Sequence, residues 1–335
     1  MRRILPLLVL AGCSGNFAQP TSPDLGDPGK TDRPPTQFPT GTDDGGAPRA
    51  AYPIVLAHGL DGFKNIGPLD YYYAVAPALI ADGHQVFVAQ VDAYNSSEVR
   101  GAQLLTYVQN VLQQSGAQKV NLICHSQGGL DCRYVASMDG AHVAAVVMIA
   151  SPNLGDPVAD VALMALPGPV QTAVGALLDL FGASIDNFNG DQNAQAAFQT
   201  LSSAGAAAFN ARHPDDPRVA YYSIAGRSNG AMGDQDCGTP TEAPFVARWD
   251  AYADPLNPLL AAPNGIINSS FNPAPTNDGL VTVASAKWGT FLGCIPADHL
   301  DEVGQIGGAA PGAGNPFDHV LFYRQLANWL VERGY

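Results

Sequence analysis

Basic residues are scarce in this 335-residue chain: 16 Lys and Arg stand against 30 Asp and Glu, a formal net charge of −14. So few cations make no basic patch, which argues against a nucleic-acid partner. The acidity suits an exported soluble enzyme with room for a cation, and it does not specify the fold. The N-terminal apolar run, Ile4 to Leu10, is too short to span a bilayer. Following Arg2 and Arg3, it reads instead as the core of an export signal. Cysteine is sparse too, with five in all, which rules out a fold held mainly by disulfides.

What is present begins at that signal. Leu10-Ala11-Gly12-Cys13 has the form of a bacterial lipobox, whose cysteine is acylated on its thiol and becomes the mature N-terminus. Cys13 is therefore the expected lipidation site, with residues 1–13 as signal segment, and Ser14 after it fits outer-membrane sorting. Residues 14–50 carry seven prolines among Gly, Thr and Asp. They cannot bury a core and read as a disordered tether with a reach of roughly 35 Å. The expected location is the cell envelope, with the membrane reached through the lipid anchor, or the exterior as a secreted protein.

Residues 51–335 suffice for one large α/β domain. Tyr52 to Gly59, His84 to Val91, Val120 to Ile123 and Val143 to Ala150 are nearly continuous apolar runs, alternating with helical patterns at Asp70–Ile80 and Ser97–Gln114. That alternation predicts a mostly parallel sheet with helices on both faces. From about 155 to 214 the strands stop, and Asp160–Leu166, Val170–Phe181 and Asn193–Asn210 read as an inserted helical lid. Arg218–Ala225 and Leu280–Val283 restore the strand pattern, and Phe317–Val331 reads as a closing helix.

The organising stretch is Val120 to Gly129. A strand turns sharply at Cys124-His125-Ser126-Gln127-Gly128 and runs into a helix. A serine on such a turn, flanked by small residues, is the nucleophile elbow of an α/β-hydrolase, with Cys124 standing where glycine is usual. In that fold the acid and the base follow the serine in that order. Of the later histidines, His142 comes too soon, His213 falls in the insertion and His319 in the last helix, whereas His299 lies in a loop. Asp278, before it, is the candidate acid, although taken alone it reads better as a plain Asp-Gly turn residue.

Ile54-Val-Leu-Ala-His-Gly59, Ser97-Glu-Val-Arg-Gly101, Lys119-Val-Asn-Leu-Ile123, Asn277-Asp-Gly-Leu-Val281 and His299-Leu-Asp-Glu-Val303 together resemble the secreted triacylglycerol lipases of Pseudomonas and Burkholderia. The resemblance implies Ser126 as nucleophile, Asp278 as acid and His299 as base. It implies the backbone N–H groups of Leu60 and Gln127 as oxyanion hole. It also implies a structural calcium held by Asp254 and Asp301, with backbone oxygens near Gln305 and Ala309, and possible use of a lipase foldase. Cys124 and Gln127 depart from the Gly and His of those relatives, and their disulfide positions are not matched. Cys124 and Cys132 are expected as buried thiols. Cys237 and Cys294, in loops of an exported chain, are expected to pair. The expectation is a monomeric serine ester hydrolase acting on lipid esters. An esterase or polyester hydrolase is the near alternative, and a catalytically dead surface-binding lipoprotein the distant one.

Overall fold

The computed structural model describes residues 49–60, 62, 65–66, 69–164, 193–228, 237, 243–305, 311 and 314–335. Cys13, the tether up to residue 48, the helix expected at Val170–Phe181 and Ala309 lie outside the described residues.

Six strands form one sheet: β1 (Ile54–Ala57), β2 (Val86–Val88), β3 (Val120–His125), β4 (Val143–Ile149), β5 (Ala220–Gly226) and β6 (Thr290–Ile295). Their order is β2-β1-β3-β4-β5-β6, every neighbouring pair parallel. The strands read as unbroken apolar runs because both faces are covered. Along β1, Ile54 and Leu56 belong to one core cluster, with Phe322, Leu326 and Trp329 of the last helix. Val55 and Ala57 belong to the other, with Leu104, Val108 and Val135. Strand β4 alternates likewise, Val147 and Ile149 against Val146 and Met148.

The helices that position the site are α1 (Val75–Ala81), α2 (Ser97–Ser115), α3 (Gly128–Asp139), α4 (Pro157–Leu163), α5 (Ala194–Leu201), α6 (Ser203–Arg212), α7 (Pro244–Ala247), α8 (Ala261–Ser270), α9 (Val283–Ala286) and α10 (His319–Glu332). Helix α2 ends at Gly116 with φ 68, a left-handed C-cap suited to glycine. The single helix expected over Asn193–Asn210 is two. Ser202 ends α5 and caps α6, its Oγ accepting from Gly205 N at 3.0 Å. Leu280–Val283 is not a strand. Asp278 and Asn277 draw the backbone into a turn, and α9 follows, so the last strand is β6. Helix α1 also starts later than the expected Asp70. Residues 71–74 form a turn whose Tyr72 hydroxyl donates to Ala57 O at 2.7 Å, and the helix begins at Val75.

Candidate active site

Ser126 sits at the end of β3 with φ 56, a left-handed conformation costly for any residue with a Cβ. The strain is held on both sides: Ser126 N donates to Ile149 O at 3.0 Å, and Gly129 N donates to Ser126 O at 3.0 Å. Gly128 is required by packing, since a Cβ there would stand 2.6 Å from Ala57 O. The departure at Cys124 has its own explanation. Cys124 and Cys132, both fully buried, form a disulfide with Cα atoms 6.6 Å apart, so they are not the thiols expected from sequence. The elbow folds α3 back along β3 and brings the fifth helical residue beside the strand. Cys237 and Cys294 are also bonded, fastening residue 237 to β6.

Asp278 and His299 meet. His299 Nδ1 donates to Asp278 Oδ2 at 2.8 Å, and His299 N donates to Asp278 O at 3.0 Å. The other carboxylate oxygen of Asp278 accepts from Leu280 N and Val281 N, so the Asp-Gly turn holds the acid as well as turning the chain. With Nδ1 committed, Nε2 of His299 is left as the proton acceptor. Ser126 and His299 line one cavity, otherwise walled mainly by Leu60, Val158, Phe198 and Leu201. Asp156 also lines it. Its Oδ1 caps α4 through Val158 N at 2.8 Å, and burial pushes its carboxyl up to about 7.

The turn after β1 is clamped. Gly59 O accepts from Arg100 Nη2 and from His58 Nδ1, each at 3.0 Å. Val91 N donates to the opposite His58 nitrogen at 3.3 Å, and burial lowers His58 to about 3, so this imidazole is neutral with its proton on Nδ1. In a trans peptide the next N–H points away from the carbonyl. Fixing Gly59 C=O therefore aims Leu60 N–H away from Arg100, and Leu60 lines the cavity with Ser126. Gln127, buried, is locked by donation from Nε2 to Asn95 O at 2.9 Å, at the point where α3 begins. Arg100 also donates to Asp131 Oδ2 at 2.8 Å, tying this turn to the helix of the elbow.

Residues 52–203 match the alpha/beta hydrolase fold family. A triacylglycerol lipase of Vibrio cholerae is 38% identical over 304 residues, covering 86% of this chain and 90% of that protein. The chain belongs to the triacylglycerol lipases. These are carboxylic ester hydrolases, and a Pseudomonas fragi member is 34% identical, covering 84% of this chain and 97% of its own. Among solved structures, a metagenomic carboxyl esterase superposes with TM-score 0.59 at 20% identity, over 92% of this lipase and 82% of that chain, a likeness of fold.

Behind the base, Asp254, Asp298 and Asp301 converge, each offering an oxygen within 4.8 Å of the others. Asp254 Oδ2 accepts from Asp298 N at 2.8 Å, which brings the distant segment to the His299 loop. Burial and the neighbouring Asp298 push Asp301 up to about 7. Gln305 is buried in the same loop. A cluster of buried carboxylates is the hard-oxygen donor set calcium takes. Sequence reading named Asp254, Asp301 and Gln305 and missed Asp298, whose carboxylate caps the loop by accepting from Leu300 N and Asp301 N. It also missed Tyr71, Arg100, His125, Asp156 and Glu302. Arg100 and Glu302 stand inside the family motifs, but only the fold shows what they touch.

Proposed function

We propose that this lipase hydrolyses acylglycerols by an acyl-enzyme route. Ser126 Oγ attacks the ester carbonyl carbon while His299 Nε2 takes its proton, and Asp278 steadies the imidazolium that forms. The carbonyl oxygen becomes an oxyanion, held by the N–H groups of Leu60 and Gln127, each contributing about 2.7–4 kcal/mol. Collapse breaks the C–O bond, and His299 returns the proton to the departing alcohol. Water then attacks the acyl-serine, with His299 again as base, and releases a fatty acid. The observation that carries this reading is the His299–Asp278 pair at 2.8 Å lining the same apolar cavity as the strained Ser126.

The cavity's apolar walls suit an acyl chain, and Leu154 and Met164, 52% and 64% exposed, flank α4. We read residues 155–214 as a lid whose apolar surface meets a lipid interface. Rates on emulsified triolein and soluble tributyrin test this: a clear preference for the emulsion supports a lipase, and a preference for the soluble ester supports an esterase. Asp254, Asp301 and Gln305, with Asp298, would hold a calcium ion. Bound there, the ion would neutralise the carboxylates and fix the loop that carries His299. Export as a Cys13-anchored lipoprotein belongs to the same proposal, and so does folding aided by a foldase. Intact mass of the mature form checks the anchor.

A further inference from the structure

A buried chain of hydrogen bonds runs behind the catalytic groups, with Tyr71 also lining the cavity and Glu302 Oε2 4.0 Å from His299 Nδ1. Gly59 N–H donates to the Tyr71 hydroxyl oxygen at 3.0 Å. That hydroxyl lies 2.7 Å from His125 Nδ1, and His125 Nε2 lies 2.7 Å from Glu302 Oε2. Tyr71, His125 and Glu302 are all buried. Tyr71 is thus bonded to both Gly59 and His125, and His125 to both Tyr71 and Glu302. The chain joins three segments far apart in sequence: the turn before Leu60, the residue preceding Ser126, and the loop three residues after His299. A backbone bond reinforces it, Tyr73 N donating to Val303 O at 3.0 Å.

We propose that Tyr71, His125 and Glu302 are positioning residues that hold the Gly59–Leu60 turn in register with the base loop, so that Leu60 N–H is already aimed when the oxyanion forms. Arg100 and His58 fix the carbonyl of Gly59; the relay fixes its N–H. The turn is thereby held from both sides, and Gly59 cannot carry a side chain, since a Cβ would stand 2.8 Å from the Tyr71 oxygen. Gly59 N–H would otherwise be a buried donor without a partner, which a turn can relieve only by rotating. Removing only the Tyr71 hydroxyl keeps the ring that lines the cavity, so the loss should fall on the transition state rather than on ester binding.

This rests on the reading of Ser126, His299 and the hole given above. The test is Tyr71→Phe, assayed on p-nitrophenyl butyrate and with phenylethaneboronic acid, whose tetrahedral adduct fills the oxyanion position. The expected result is a tenfold or greater fall in kcat, KM within twofold of wild type, and boronate affinity weakened in step with kcat. Unchanged kcat and boronate affinity in a folded Tyr71→Phe overturns the relay. Ser126→Ala retaining activity would overturn the reading beneath it instead. Glu302→Gln keeps an acceptor and should lose less kcat than Glu302→Leu; equal losses count against the relay. Histidine-labelled wild-type protein gives a check free of folding defects. Nitrogen NMR should find both nitrogens of His125 hydrogen-bonded, and a ring nitrogen of His125 without a hydrogen bond refutes the chain.

Discussion

At the scale of single residues, the strained Ser126 is the sharpest case. Its φ of 56 is tolerated only because β3, α3 and the end of β4 over-determine it. Ser126→Ala should leave the fold intact and lower kcat on p-nitrophenyl butyrate by more than about a thousandfold, as loss of a triad nucleophile does. Asp156 gives a pH signature. Its folded carboxyl titrates at about 7, above the ordinary 3.8, because burial disfavours the charge. The folded chain therefore binds the proton more tightly than the unfolded one, and stability falls as pH rises from about 4 to about 7. Asparagine cannot ionise and can still cap α4. Melting curves should show Asp156→Asn gaining on wild type across that window and levelling above pH 7.

Among elements, the unit that matters is the elbow with its staple. The Cys124–Cys132 bond closes a loop of eight residues around Ser126, and Cys237–Cys294 one of 57. Chain-entropy reasoning gives about 2.5 kcal/mol for the short loop and about 4 for the long one. Cys124→Ala/Cys132→Ala should thus lower unfolding free energy less than Cys237→Ala/Cys294→Ala, as urea titrations will measure. The strand–turn–helix around Ser126 was legible because its apolar run, small residues and helix follow one another along the chain. The serine–acid–base order was legible for the same reason. The elbow disulfide was not, because Cys124 and Cys132 become neighbours only once α3 folds back on β3. Leu280–Val283 misled because its apolar content matches a strand, while Asn277 and Asp278 bond the backbone into a turn. Asp298 escaped notice because a loop cap and a metal ligand look alike in sequence.

Across the whole molecule, the His299 loop depends on a distant segment. The Asp254 carboxylate accepts from the Asp298 backbone N–H, and Asp301 completes a buried acidic cluster. Three buried carboxylates within 4.8 Å repel one another unless a cation lies between them or protons neutralise them. Exhaustive EDTA should lower the melting temperature, and Asp301→Ala should remove that sensitivity. Elemental analysis of fresh protein should find one calcium per chain. Cys13→Ser should release the protein from membranes at unchanged specific activity, read by fractionation and assay.

The helical insertion leaves the sheet after β4 and returns at β5, and those two strands are hydrogen-bonded neighbours, Ile149 beside Ile224 and Ala150 N on Ile224 O at 2.8 Å. Its stem is thus closed by the sheet whatever the intervening chain contains. A parallel pair needs a crossover of only about a dozen residues. Changes in length within this segment should therefore alter the wall over the cavity while leaving the pairing of β4 with β5, and with it the setting of Ser126, in place.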